Sequence, residues 1–499
     1  MKNQRISGIV LSYISLGINT IVNLIYVPVL LHFLGKSEYG LYQLMGSFIA
    51  YFSIMDFGLS NTVIRYFSKY KALNETDKME NVLAMAQKIY LVIDVVIVVL
   101  SIIIYPLIDR FYVNTLTSYE LESAKKIYIV VIINILITIS FNVYTAFITA
   151  QEEFVFIKTL SLLQTLIQPF LVILLLLQRP TAMSVVIVQT VLNLFANLIK
   201  VFYSYKKLKI KIKSHEKDLK LLKSMLKFSA SIFIVAITDQ LFWKTNQLIL
   251  GAVAGTVAVA IYAVASQIYM NYVSLSSVIQ GVFLPKITEQ VTQGKDVNKS
   301  FVQIGRAQYI LLSCVLGGFI VFGKQFISLW VGKDFIDAYY ITLIIISAMT
   351  IDLIQSIGST IMQAKNIYGI RAKVLLFMAI INVIFAIWLG KIYGGVGCAI
   401  GTSVCMILGN GVIMNYIYYS KVGLNIGCFW KNIVQLTVPA VLSCGLGFII
   451  NKIIVGQNFL NLGIKIIIYV FVYSLLLILL GIRREEKILL KQFLRKGFK

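Results

Sequence analysis

The run ISGIVLSYISLGINTIVNLIYVPVLLHFLG, from Ile6 to Gly35, contains no Asp, Glu, Lys or Arg. A helix needs about 20 apolar residues to cross about 30 Å of hydrocarbon. This run therefore reads as one membrane span. It follows a basic start, Met1 to Arg5. It is too long for a signal-peptide core and shows no clear cleavage site, so it is expected to be a retained first span. Comparable runs recur along the chain. They place spans near residues 8–32, 40–63, 89–108, 127–149, 159–178, 181–199, 228–250, 256–284, 307–323, 338–362, 374–390, 393–418, 433–451 and 462–481. The fold class expected is all-α integral membrane, with about fourteen transmembrane helices.

Composition supports this and excludes other classes. Of the 499 residues, 59% are hydrophobic, 13% are charged, and mean hydropathy is +0.86. A soluble domain carries about a quarter charged residues, and no stretch outside the apolar runs is long enough to form a core. The net charge of +24 would point to nucleic acid in a soluble protein. In a membrane protein it follows from Lys and Arg collecting in cytoplasmic loops. With the N-terminus inside, the cytoplasmic segments hold 34 Lys and Arg and the outer loops nine, with Lys244 and Lys465 inside spans. Fourteen spans then leave both termini cytoplasmic. The five cysteines form no CxxC pair and indicate neither a disulfide framework nor a metal site.

Two weak internal matches point to duplication. Ala150, Phe154 and Phe156 at the end of span four align with Ala364, Tyr368 and Ile370 at the end of span ten. Leu34-Gly35 aligns with Leu250-Gly251 at nearly the same offset. The expected organisation is an N-lobe over 1–205 (spans one to six), a basic cytoplasmic linker over 206–227, and a C-lobe over 228–420 (spans seven to twelve). Spans 13 and 14 with a basic tail follow over 421–499. Because six is even, the two six-helix lobes would share orientation about a pseudo-two-fold axis along the membrane normal.

Polar residues inside spans are costly in lipid and should meet a cavity or each other. In span one, Ser12, Ser15, Asn19, Asn23 and Tyr26 fall within about 80° of each other on a helix. They form a polar stripe that either lines a cavity or joins helices. Pro28 permits a bend. Span seven is richer. Asp239 and Asn246 share one face, and Gln240, Lys244 and Gln247 another. Lys244 is expected to contact an anionic substrate group, against the plainer readings of a structural ion pair or a snorkelling lysine. Asp239, Asp56 and Asp352 are candidates for ion coupling, because burial raises a carboxyl pKa. Asp94 reads more simply as a partner for a nearby group. No nucleotide-binding loop or catalytic motif is present. No cofactor is expected, and energy would come from a proton or sodium gradient, the membrane potential or the substrate's own gradient.

The segment Leu34-Gly35-Lys36-Ser37-Glu38-Tyr39-Gly40-Leu41-Tyr42, with Asp56-Phe57-Gly58-Leu59 and Arg65-Tyr66, resembles the opening of Wzx-type polysaccharide flippases. Gln247-Leu248-Ile249-Leu250-Gly251, Ile261-Tyr262 and Phe283-Leu284-Pro285 resemble that family's landmarks in spans seven and eight. The family lies in the multidrug/oligosaccharidyl-lipid/polysaccharide exporter superfamily. The resemblance implies two lobes around a cavity and movement of an undecaprenyl-diphosphate-linked oligosaccharide from the inner to the outer leaflet of the bacterial cytoplasmic membrane. It makes Lys244 and Arg65, with Arg5 behind them, the candidate partners of the diphosphate. Asn19, Asn23, Gln240, Asn246 and Gln247 would line the cavity. Many relatives carry an acid where Asn246 stands, so the coupling acid is open. Membrane lipids and a polysaccharide polymerase are the other partners implied; nucleic acid is not. Three readings compete with this one. One is a multidrug exporter, although such exporters carry an acid deep in span one and this chain has none there. Another is a flippase for a peptidoglycan or teichuronic-type precursor. The third is a membrane-embedded glycosyltransferase, for which the outer loops are too short and too poor in acids.

Overall fold

The computed structural model describes residues 2–215, 218–365 and 367–481. The basic tail of the C-terminal segment lies outside them, as does the side chain of Arg5. The helices are α1 (Lys2–Ser53), α2 (Leu59–Ala72), α3 (Thr76–Tyr112), α4 (Ser118–Ala150), α5 (Phe154–Leu176), α6 (Ala182–Lys206), α7 (Leu219–Trp243) and α8 (Thr245–Thr292). They continue with α9 (Asn298–Trp330), α10 (Asp337–Ile354), α11 (Ser356–Ala364), α12 (Tyr368–Met406), α13 (Met414–Ile417), α14 (Ile426–Ile453) and α15 (Phe459–Leu476). No strand occurs among the described residues.

Eleven segments among the described residues are long and apolar enough to span a membrane. Three of them are too long for one crossing. At about 1.5 Å per residue, the 52 residues of α1 would reach more than twice the bilayer core. The long helix in each segment is interrupted at a glycine with positive φ: Gly35 in α1 (φ 68°, ψ −177°), Gly255 in α8 (φ 79°, ψ −177°) and Gly394 in α12 (φ 57°, ψ −134°). A side chain is strongly disfavoured there, so these glycines set the turns. Dividing the three segments yields fourteen spans, as the hydropathy pattern requires. The split at Arg179-Pro180 is real, since α5 ends at Leu176 and α6 begins at Ala182. The turn after span seven is displaced from its expected place. Gly251 continues the helix, and Gly255 carries the backbone geometry that matches Gly35. Ala150 and Ala364, the other aligned pair, both end helices.

The chain forms two compact units, Met1–Ala260 and Ile261–Lys499. In the first, the turn residues of the opening hairpin are bound tightly. Glu120, at the third position of α4, closes a capping box with Thr117. Its carboxylate also accepts from Ser37 Oγ (2.5 Å) and Thr256 Oγ1 (2.6 Å). Glu38 accepts from the Ala182 amide at the start of α6 (2.6 Å). A methyl group on Gly40 would collide with the Thr256 carbonyl. On the outer faces Ile21, Ile25, Leu91 and Ile102 are exposed, as lipid-facing positions are in a membrane helix.

The second unit carries the last two spans. Arg306, 1% exposed on α9, donates to the carbonyls of Asn432 on α14 and Gly481 after α15, each at 2.9 Å. It therefore lies in a helix and buried, where the charge count had placed it in a cytoplasmic loop.

Glu120→Ala removes four hydrogen bonds from the Gly35 and Gly255 turns and the α4 cap. It is expected to destabilise the protein by about 2–4 kcal/mol, read as a lowered thermal midpoint of the purified protein. Glu120→Gln should lose less. A midpoint unchanged in Glu120→Ala would show that these turns do not depend on the carboxylate.

Candidate functional site

Helices that cross hydrocarbon satisfy their own backbone, and a break inside one must be compensated by side chains. Three spans break, and each break carries polar residues.

Span two stops at Ser53, passes through a short 3-10 turn over Ile54–Asp56, and restarts at Leu59. Phe57 and Gly58 both have positive φ (50° and 69°). Asp56 holds the restart. Its Oδ1 accepts from Ser60 Oγ (3.1 Å), Tyr90 OH (2.9 Å) on α3 and Asn142 Nδ2 (3.0 Å) on α4. Its Oδ2 receives only a long bond from the Ser60 amide (3.4 Å). The carboxylate thus ties together three helices at a half-buried position.

Span seven breaks at Lys244, the single residue between α7 and α8, with φ −112° and ψ −23°. Its amide donates to the Gln240 carbonyl (2.9 Å), and its own carbonyl accepts from the Gln247 amide (3.2 Å). The break is packed against span two. Gln247, 1% exposed, accepts from Ser47 Oγ (2.7 Å), and Thr245 bonds Tyr51. Further along, Thr62 and Ser229 bond (2.8 Å), and the rings of Phe57 and Phe233 lie 4.6 Å apart. Asn246 is fully buried. Gln240 is half-buried, with an Oε1 that has no hydrogen-bond partner among the described residues. The half-buried Lys244 ammonium has neither a hydrogen bond nor an ion pair among the described residues.

The expected residues therefore divide. Gln240, Lys244, Asn246 and Gln247 gather at one break, joined by Ser47, Tyr51 and Thr245, which the sequence did not single out. Asp239, on the same span, is exposed. In span one, Asn19 accepts from Thr165 on α5 (3.0 Å), which is a helix-joining contact, and Asn23 is half-buried. Neither bonds to the span-seven cluster. Arg65 is exposed on α2, its guanidinium 6.0 Å from the Tyr66 ring. Asp94 accepts from Ser140 (2.6 Å), joining α3 to α4.

In the second unit, span ten breaks at Gln355, between α10 and α11. Gln308 of α9 compensates the break. In the amide orientation that satisfies every neighbour, its nitrogen donates to the carbonyls of Leu353 (3.1 Å) and Ile354 (3.3 Å). Asp352, just before the break, pairs with Arg371 (3.1 Å), which also donates to Tyr418 OH (3.1 Å). Arg371 is 9% exposed. Counted with the loop charges in sequence, it is the buried counter-ion of a candidate coupling acid.

Broken helices with polar residues at the break, in a chain of fourteen spans, define a multi-pass membrane protein of the transporter and flippase class. The chain belongs to the polysaccharide biosynthesis protein family, which matches residues 6–291, as its resemblance to Wzx-type flippases implied. No curated protein sequence matches it. Among solved structures it is similar to the Lipid II flippase MurJ in an inward closed conformation, with a TM-score of 0.71 at 16% identity over 94% of this chain and 98% of that one. It is similar to an inward-facing multidrug resistance MATE family transporter of the MOP superfamily (TM-score 0.63, 14% identity, 81% of this chain and 96% of that one). A Vibrio cholerae MATE transporter gives a TM-score of 0.54 at 12% identity, over 85% of this chain and 98% of that one. These likenesses establish the fold.

Asp56→Asn keeps the oxygen that accepts three bonds and removes the charge. It should fold with a near-normal thermal midpoint. Asp56→Ala leaves the Tyr90, Asn142 and Ser60 donors unpaired and should lose about 2–4 kcal/mol. If Asp56→Asn also transports normally, Asp56 is a structural tie and not a coupling acid.

Proposed function

We propose that this protein moves an undecaprenyl-diphosphate-linked oligosaccharide from the inner to the outer leaflet of the bacterial cytoplasmic membrane by alternating access, for assembly of a surface polysaccharide. The observation that carries this reading is Lys244. It is a cation at a helix break within a membrane span, half-buried, with no carboxylate or hydrogen-bond acceptor among the described residues. An ammonium so placed is suited to a diphosphate, whose oxygens accept charge-assisted hydrogen bonds. Half-buried Gln240 lies beside it and would add an amide for sugar, while buried Asn246, Gln247 and the Ser47 and Thr245 hydroxyls hold the break that presents the ammonium. Family membership adds the link to polysaccharide assembly.

The acids favour the same cargo. Asp56 is occupied by three donors and Asp352 by Arg371, which leaves them poorly placed to receive a cationic drug. A multidrug exporter is the second reading, supported by the fold shared with the MATE transporters. A peptidoglycan or teichuronic-type precursor presents the same diphosphate to Lys244, so its flippase remains a variant of the first reading. Proton or sodium coupling through Asp239, Asp56 or Asp352, and a polymerase partner, belong to the proposal as well. Nothing in this reading requires bond chemistry by the protein itself.

Deleting the gene in its host should abolish the surface polymer and leave lipid-linked repeat units on the inner leaflet. Lys244→Ala, expressed at the normal level, should restore less than about a tenth of the polymer, the scale expected when one charge-assisted contact is lost. Normal polymer with altered sensitivity to cationic drugs would establish the exporter instead. Loss of viability with accumulated peptidoglycan precursor would identify that cargo. The proposed orientation, with both termini cytoplasmic, predicts that Ser214→Cys in a cysteine-free background reacts with a membrane-impermeant maleimide only after the cells are opened.

A further inference from the structure

The second unit contains a basic cavity remote in sequence from the span-seven cluster. The C-terminal part of α9, the connection to α10 and the facing ends of α14 and α15 enclose about 800 Å³. This lies within the range of about 300–1,000 Å³ typical of small-molecule sites. Three lysines line it, Lys324, Lys333 and Lys465, together with Gln325, Asn451 and Tyr339, and the lining includes no carboxylate. Asp334 and Asp337 belong to the same connection but are not part of the wall.

Lys465 is the unusual member. It is 3% exposed and sits inside the last membrane span. A buried charge is strongly disfavoured unless paired and hydrogen-bonded. Here it has two neutral acceptors, Gln325 Oε1 (2.9 Å) and Asn451 Oδ1 (2.8 Å). Gln325 is itself oriented, because its Nε2 donates to the Gly456 carbonyl (3.0 Å), which turns its oxygen toward the ammonium. An ammonium has three donors. Two are fixed by the protein, and the third is left on a side chain that lines the cavity. Lys324 adds a second positive charge, its ammonium 5.4 Å from the Tyr339 ring centroid, and Lys333 a third at the rim.

We propose that this cavity is an anion-binding site, contributed largely by the last two spans, which takes a phosphate ester or a sugar carboxylate. Lys465 supplies the fixed charge and Lys324 and Lys333 the accessible ones. The ligand completes the pairing that Gln325 and Asn451 leave unfinished. Its source is either a lipid headgroup or a soluble phosphorylated or acidic sugar. The site lies wholly within residues 261–499 and stands independently of the transport reading.

The test uses the full chain in nanodiscs of neutral phosphatidylcholine, titrated with inorganic pyrophosphate and with glucuronate. A parallel set of discs contains phosphatidylglycerol, with retained lipid read by native mass spectrometry. A thermal midpoint raised by either soluble anion identifies a soluble source, and retention of phosphatidylglycerol alone identifies a lipid headgroup; both support the site. Binding should weaken about tenfold in the double variant Lys324→Gln, Lys333→Gln, whose exposed positions leave folding intact. It should be lost in Lys465→Met. The site is ruled out if no probe binds, or if binding is unchanged in the exposed double variant. Because the readout is binding rather than transport, failure of the flippase reading would leave it standing.

Discussion

Hydrocarbon offers no partner to a peptide group, and the rest of this architecture follows from that constraint. Regular helix satisfies the backbone at almost every depth, and the chain departs from it inside a span only where side chains take over the freed groups. At Ile54–Gly58 the work falls to Asp56, which accepts from the Ser60 amide, at Lys244 to Thr245, whose hydroxyl donates to the Gln240 carbonyl, and at Gln355 to Gln308. Interrupted spans of this kind form the binding centres of many transporters, where exposed backbone and polar side chains meet the cargo. The coincidence of a break with a cation that has no partner among the described residues is what distinguishes span seven from the other two. There the break brings a charge into the membrane.

The segment that announces the family has a different task. Leu34 to Tyr42 reads in sequence like a recognition motif, yet its members are joints. Gly35 turns the chain, Ser37 bonds Glu120, Glu38 holds the start of α6, and Gly40 admits the Thr256 carbonyl. A motif can persist in a pattern because two turns must fit each other closely. Lys244, on which the proposed cargo contact rests, lies outside it.

Hydropathy and charge were enough to read the fourteen spans, the helical class and the break at Arg179-Pro180, because lipid solvation acts on each segment by itself. They also singled out span seven, since an acid, a base and three amides in one span are costly in lipid. What stayed hidden depends on distant residues. The turn at Gly255 was placed at Gly251 because a glycine's φ is not visible in its letter. Arg371 was read as a loop charge because its partner, Asp352, lies across a helix break and no periodicity connects them. Tyr90 and Asn142 are ordinary span residues until folding brings them to Asp56. The linear pattern thus identified which polar residues were out of place, and only the packing showed which of them were already engaged.

Arg306 has a consequence for how the protein is made. Its guanidinium sits in span nine, but both backbone oxygens that receive it belong to the final two spans, the second of them at Gly481. During synthesis the ninth span enters the membrane long before Gly481 has been translated. Until then these two acceptors are not available to a guanidinium whose burial is costly without such bonds. The late spans therefore complete the setting of a residue that precedes them. A chain cut before Gly481 lacks one of the bonds that seat span nine, so order in the middle of the second unit depends on its very last turn.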